Sequence, residues 1–287
     1  MSGTQNTQKL KHCDLKASCD TGALIFAYNN SAFDYIAIAE VAAQLIRWHL
    51  QIPVTLVTDT SVVSAAFDSI IVDEYKGENR RVFRMPNETL TVEWKNRGRW
   101  RARELSPYKR TLLVDADYIV RTPYLKTVLD SSTEFACYKH AYDVMQKDKL
   151  ASDALISRSS IEMWWATVVV WDNDSVLANT VFDLWQIVAE HWDYYAHLYS
   201  FKASVFRNDF ALSIAVHLAT GMHTAGHDSI KIPHGLPSLS STDTVLSATP
   251  SKLVVADDAN RNAVYTDLHI MNKHAFTPKI IKELLDA

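Results

Sequence analysis

One stretch near the start of the chain restricts the fold more than any other. Residues 22–28, Gly-Ala-Leu-Ile-Phe-Ala-Tyr, form a short apolar run that reads as a buried strand. It stops at Asn29-Asn30-Ser31, residues suited to a loop and a helix cap. From Phe33 to Leu50 the apolar positions Ile36, Ala39, Ala43, Ile46 and Leu50 recur three and four apart, as on one helix face. A second apolar run, 53–58, is closed by Asp59. Strand, helix and strand at this spacing make a βαβ unit, and such units build parallel sheets with helices on their faces. The expected class is therefore α/β, Rossmann-like, with a mostly parallel sheet flanked by helices.

The same reading continues along the chain. Strands are expected at 69–72, 111–114, 134–138 and 165–171, then at 252–256 and 264–270. Residues 92–104 read as a helix ending at Ser106-Pro107. A long helix capped by Asp172-Asn173-Asp174 is expected to reach about residue 197, and a short one spans 208–218. Pro278 opens a closing helix. Residues 143–162 read as a mobile loop. Residues 221–250, rich in Gly, His, Pro, Ser and Thr, read as loop. The first 21 residues are expected to be a flexible polar arm, and 22–287 a single domain divided into halves at 120.

Composition excludes more than it selects. With 287 residues, 48% hydrophobic and 22% charged, the chain is neither collagen-like, disordered nor disulfide-stapled. A net charge of −4 gives no overall field for nucleic acid. The three cysteines, Cys13, Cys19 and Cys137, match no zinc spacing and read as reduced thiols. No apolar signal core and no membrane-length run is present, so a soluble, cytoplasmic protein is expected. Charge is unevenly placed: residues 80–110 hold ten Lys/Arg against three Glu. Such a run is either a solvated face or a groove for a phosphate-bearing substrate.

That basic run leads into Val114-Asp115-Ala116-Asp117. Two Asp at i and i+2, just past a buried strand, can point the same way at the carboxyl edge of the sheet. That edge is where open α/β sheets bind ligands. Two hard carboxylates suit Mg²⁺ or Mn²⁺ with positions left for phosphate oxygens. A strand-end capping pair is the alternative.

The order Arg99, Arg101, Arg103, Ser106-Pro107-Tyr108-Lys109-Arg110, strand, Asp115-Ala116-Asp117 resembles the donor-binding core of GT-A glycosyltransferases. The string from Leu105 to Val120 looks like the version in poorly characterised, often phage-encoded members. The resemblance is specific around 96–120 and otherwise extends over 22–275 in element order. It implies a GT-A-like domain with a nucleotide-binding half (22–120) and a variable C-terminal acceptor half (121–287). It also implies a nucleotide-diphosphate sugar donor, a UDP-sugar favoured, and a DxD-bound Mn²⁺ or Mg²⁺. Thr266-Asp267-Leu268-His269-Ile-Met-Asn-Lys273 resembles the family's last strand. His269 would then join Asp115 and Asp117 on the metal, and Lys273 would face the diphosphate. The family's Gly between that His and Lys is absent here, and the spacing is shorter.

Other positions carry over singly. Tyr28 falls where the family seats base and ribose, and Asp59 closes the next strand. Arg99 falls where a basic residue meets the donor. Trp165 stands where relatives carry a sugar-pocket turn. Asp209, near the start of the helix at 208–218, falls where an acidic residue touches sugar or acceptor, and would be the base of an inverting reaction. Each has a plain structural reading beside it, as core aromatic, loop cap, helix surface or helix cap. The acceptor is open among glycan, protein, small molecule and modified DNA base. A nucleotide-sugar or glycan-binding module without turnover is the alternative to the enzyme.

Overall fold

The computed structural model describes residues 20–73, 77, 80–84, 88–147, 155–157, 161–201, 205–223 and 227–286. In chain order, β1 (Thr21–Phe26), α1 (Tyr35–Leu50), β2 (Val54–Thr58) and β3 (Ser69–Val72) form the expected βαβ start. A hairpin of β4 (Arg80–Arg84) and β5 (Thr89–Glu93) precedes a 3-10 turn over Asn96–Arg101 and the short α2 (Ala102–Leu105). Next come β6 (Arg110–Asp115), β7 (Tyr118–Ile119), α3 (Tyr124–Leu129), β8 (Phe135–Tyr138), β9 (Ala141–Asp143) and β10 (Trp165–Asp172). Three helices follow: α4 (Val176–Glu190), α5 (Trp192–Leu198) and α6 (Asn208–Ala219). The chain closes through β11 (Leu236–Leu239), β12 (Thr244–Ala248), β13 (Leu253–Ala256), β14 (Arg261–Val264), β15 (Leu268–Ile270) and α7 (Pro278–Leu285).

The central sheet has the order β3-β2-β1-β6-β10-β8. Its first four strands are parallel, and β10 runs antiparallel to both β6 and β8. A second sheet, β7-β15-β11-β9, and a three-stranded sheet, β12-β13-β14, share a second core with α1 and α7. The class is the expected mixed α/β, with a mostly parallel central sheet flanked by helices.

The helix α1 shows why the sequence pattern works. Asp34 caps it by accepting from the Ala37 amide at 3.0 Å, and Asn29 Oδ1 accepts from the Ile36 amide at 2.9 Å. Its predicted stripe, Ile36, Ala39, Ala43, Ile46 and Leu50, lies wholly in the main core against the central sheet. Val41 and Leu45 on another face enter a second core with Leu239, Val255, Leu268 and Ile280. The helix is thus sandwiched between two hydrophobic layers, which accounts for its nine buried residues. In β1, Gly22 is required by close approach: a Cβ there would fall 2.4 Å from the ring of Tyr108. That ring is locked by a 2.8 Å bond between its hydroxyl and Thr55, so the segment entering β6 is clasped onto β1 and β2.

Several expectations need correction. The helix expected over 92–104 is in part strand β5, followed by the 3-10 turn and α2. The long helix expected up to about 197 breaks at His191, which ends α4 and precedes α5. Its cap is Ser175, whose hydroxyl accepts from the Ala178 amide, not the Asp-Asn-Asp stretch. The region 221–250, expected to be loop, holds β11 and β12. Within 143–162, expected to be a mobile loop, Ile156 and Ile161 are buried core residues. Residues 148–154 and 158–160 lie outside the described residues, as do Cys13, Cys19 and the arm through residue 19. Cys137 is a buried free thiol on β8. Among the described residues no helix is long and apolar enough to cross a membrane.

Candidate active site

The strand β6 ends at Asp115, paired in register with Phe26 of β1, and Asp117 follows after one residue. The chain then enters β7, which pairs antiparallel with β15 so that Tyr118 lies opposite His269. The Ile270 amide donates to the Asp117 carbonyl at 2.9 Å. Asp267 braces this junction: one carboxylate oxygen accepts from the Arg121 and Thr122 amides, both at 2.8 Å, and from the Thr122 hydroxyl at 2.9 Å. The result brings together one ligand atom each from Asp115, Asp117 and His269, all within 4.8 Å of one another.

The electrostatics of this cluster are asymmetric. Burial and the neighbouring Asp117 push the Asp115 carboxyl above its ordinary range, against the pull of Arg99. Burial also acts on Asp117, but Lys273 and His269 outweigh it and hold that carboxyl well below the usual carboxylate range. Lys273 is ion-paired with Asp117 and also donates to the Met271 carbonyl at 3.0 Å. The imidazole Nε2 of His269 is 3.5 Å from Asp117 and 3.9 Å from Asp115. Its Nδ1 is buried with no hydrogen-bond partner among the described residues. Two carboxylates and an imidazole nitrogen converging in this way are a hard O,O,N donor set, which fits Mg²⁺ or Mn²⁺.

The cluster opens into a cavity of about 380 Å³ at the carboxyl edge of β1 and β6. Tyr28, Arg99, Asp209 and Lys273 line it together with the cluster. Arg99 is almost fully buried; its guanidinium lies 2.9 Å from Asp115 and donates to the Ala166 carbonyl at 3.0 Å. Burial, with Asp73 and Asp59 nearby, raises the Tyr28 hydroxyl far above its ordinary value, so it stays a neutral donor. Asp209 accepts from the Ala166 amide at 3.0 Å and from Arg207 at 2.8 Å.

Asp59 and Trp165 stand outside the lining. Asp59 accepts from Lys95 at 2.8 Å, and it is Lys95 that reaches the cavity. Trp165 is 4% exposed on β10, under the guanidinium of Arg207 at 5.7 Å.

The β4–β5 hairpin supplies cavity residues that sequence reasoning did not single out. Arg81, Glu93 and Trp94 line the wall, with the Arg81 guanidinium 3.6 Å from the Trp94 ring centroid. Burial lowers Arg81 to about 10, with Asp209 opposing the shift. Asn208, at the start of α6, reaches the same space and donates to the Asn96 carbonyl at 2.7 Å. The available signal was the charge run itself, and the structure divides it. Arg81, Lys95 and Arg99 face the cavity, whereas Arg101, Arg103 and Arg110 are struts to Asp73, Asp183 and Asp172 at 2.6–2.7 Å. That division separates cations of the run that face the cavity from cations that hold the fold.

No protein-family model matches the sequence, and no curated protein matches it. Solved structures similar to this chain include the glycosyltransferase GlyE of Streptococcus pneumoniae TIGR4, at 14% identity over 68% of this chain and 43% of that one, TM-score 0.40. The galactosyltransferase LgtC, in complex with donor and acceptor sugar analogues, matches at 12% identity over 67% and 69%, TM-score 0.44. The bifunctional glycosyltransferase WbbM matches at 14% identity over 58% and 34%, TM-score 0.37. The chain spans less than half the length of GlyE. These three likenesses are remote, at 12–14% identity with TM-scores of 0.37–0.44.

Proposed function

We propose that this protein transfers a sugar from a nucleotide-diphosphate sugar, with a UDP-sugar as the favoured donor, to a hydroxyl acceptor. The observation that carries the reading is the convergence of Asp115, Asp117 and His269 at the carboxyl edge of the central sheet, under a cavity walled by Arg81, Lys95, Arg99 and Lys273. The donor class rests on the sequence resemblance over 96–120. Asp115, Asp117 and His269 would hold a divalent cation, which supplies Lewis-acid neutralisation of a departing diphosphate.

The chain's own residues do the rest. Lys273 and Arg81 place fixed positive charge where the nucleoside diphosphate leaves, which stabilises developing negative charge without solvent reorganisation. Arg99 anchors Asp115 from below. Tyr28, at the end of β1, presents a ring and a neutral hydroxyl for the base and ribose. Asp209 is held by Ala166 and Arg207 with its carboxylate at the cavity wall, where it would receive a sugar or acceptor hydroxyl.

The test is calorimetric titration of UDP and the other nucleoside diphosphates with and without Mn²⁺, on wild type and Lys273→Ala, followed by a transfer and donor-hydrolysis assay. Mn²⁺-dependent binding of one nucleoside diphosphate, about tenfold weaker in the variant, is the expected result. Absence of metal-dependent binding for every diphosphate would overturn the reading.

A second reading has its own observation. Arg99 and Lys273 already neutralise both carboxylates within the chain. Metal-independent nucleotide-sugar binding without turnover would favour that module.

A further inference from the structure

We propose that a second groove, on the face of the β7-β15-β11-β9 sheet, binds a neutral oligosaccharide. This goes beyond the transferase reading and does not depend on it. The groove encloses about 720 Å³ and shares no lining residue with the cavity above Asp115. Five tyrosines line it, with His234 beside them: Tyr142 and Tyr265 exposed, Tyr124 half-buried, and Tyr118 and Tyr138 buried.

The groove is a built site. Strand register sets Tyr142 of β9 beside Pro237 of β11. Tyr124 is pinned by its hydroxyl to the Pro233 carbonyl and packs on the His234 ring at 5.6 Å. His234 adopts a left-handed φ of 64°, uncommon for a non-glycine residue. Gly235 leaves room for the Tyr142 ring, since a Cβ there would lie 3.0 Å from it. Tyr142 and Tyr265 are 46% and 66% exposed, large aromatic faces left in water.

The polar groups select the ligand class. Asp267, 1% exposed, lies in the groove lining. Three donors converge on its Oδ1, whereas its Oδ2 accepts, among the described residues, from the Tyr118 hydroxyl at 3.5 Å. That oxygen therefore retains capacity for a ligand donor. Thr122 and Thr266 add hydroxyls, and among the described residues no Lys or Arg lines the groove. With the Arg121 guanidinium turned to the Thr249 and Pro250 carbonyls and outside the lining, the Asp267 carboxylate disfavours phosphate, and so nucleotides and nucleic acid. Aromatic faces beside hydroxyls and a hydrogen-bond acceptor match a sugar chain, whose rings offer C–H faces to tyrosines and O–H groups to Asp267. The groove is open rather than enclosed, so a sugar chain running across it is the expected occupant.

The experiment titrates maltohexaose and cellohexaose into wild type, Tyr142→Ala, Tyr265→Ala, Tyr142→Phe and Asp117→Ala by calorimetry. Oligothymidylate and decaproline serve as comparison probes. Saturable binding of at least one hexasaccharide is expected, weakened about tenfold by either alanine variant and largely retained by Tyr142→Phe and Asp117→Ala. Because both tyrosines are exposed, the variants are expected to melt with wild type. Protection of Tyr265 in wild type from nitration by tetranitromethane, when hexasaccharide is added, gives a readout that needs no variant. Failure of both hexasaccharides to bind wild type would overturn the proposal. So would equal affinity in the alanine variants, or saturation of these tyrosines by oligothymidylate or decaproline instead of sugar. Loss of nucleotide binding in Asp117→Ala, with sugar binding intact, would separate this groove from the transferase site.

Discussion

Two buried histidines stand beside carboxylates in this molecule, and they are built in opposite ways. His227 is saturated: its Nδ1 lies 2.7 Å from Glu162, and its Nε2 lies 3.4 Å from the Thr220 hydroxyl. Lys139 pairs with the other Glu162 oxygen at 2.9 Å, and the Trp164 ring meets the imidazole edge-on. His269 has two carboxylates beyond good hydrogen-bond distance from Nε2 and an orphaned Nδ1. A histidine whose nitrogens are both partnered holds a fold together. One with two carboxylates crowded at a single nitrogen, each also paired with Arg99 or Lys273, belongs to a charged cluster rather than to a saturated structural network. Both are single histidines in the second half of the chain. Their partners tell them apart.

The comparison is sharpest at Asp117. Asp117→Ala is expected to weaken Mn²⁺-dependent nucleoside-diphosphate binding by about 100-fold or more, removing the thermal stabilisation of about 2.7 kcal/mol that a ligand at 100 times its dissociation constant gives. A scanning-calorimetry panel with and without Mn²⁺ checks it. A retained shift would break the metal reading of the whole cluster.

His269→Gln is expected to cost at least the ~10–100-fold in metal affinity typical of an outer-shell change, with little effect on melting of the metal-free protein. His227→Gln should do the reverse. Manganese affinity stays at the wild-type value, and unfolding stability falls by about 1–3 kcal/mol because a buried network loses a partner. Denaturant melts paired with manganese titrations of both variants decide the matter. Equal behaviour would show that the contrast in partners carries no functional meaning.

The smallest effect is a pH dependence at the structural cluster. Burial raises the Glu162 carboxyl, but bonds from Lys139 and His227 outweigh it and leave it below its ordinary 4.5. A depressed folded value means that stability is present above 4.5 and lost as the pH falls through the folded value. Wild type should therefore exceed Glu162→Gln by about 1 kcal/mol at neutral pH, and the gap should close as the solution is acidified below 4.5. A gap that persists at low pH would assign the difference to packing.

Much of this was legible in advance, for reasons visible in particular residues. The stripe Ile36, Ala39, Ala43, Ile46 and Leu50 is a local period, so α1 and its core face could be read directly. Asp115 and Asp117 follow a buried strand, so their place at the sheet edge followed from strand alternation. The hairpin β4–β5 was missed although Thr89-Leu-Thr-Val-Glu93 alternates polar and apolar residues as a strand does; all five are exposed, so no burial supports the signal, and the helix expected over 92–104 was laid across its end. The break at His191 was not legible either: the apolar pattern of α4 runs on into α5, and only packing of Trp192 against Phe201 and Phe206 turns the chain.

Sequence alone determined the βαβ start, the α/β class and the carboxylate pair at the end of the fourth parallel strand of the central sheet. Local period and residue chemistry set these, and both are written within a few residues of one another. Tertiary structure decided whether His269 and Lys273, named from the resemblance, come near the carboxylates, and it added Arg81 and Lys95 to the cavity wall. Lys273 reaches Asp117 across 156 residues, and His269 reaches it only because β15 pairs with β7 in one register. That register depends on backbone hydrogen bonds, the brace of Asp267 and a shared core, which are long-range terms that no local pattern encodes.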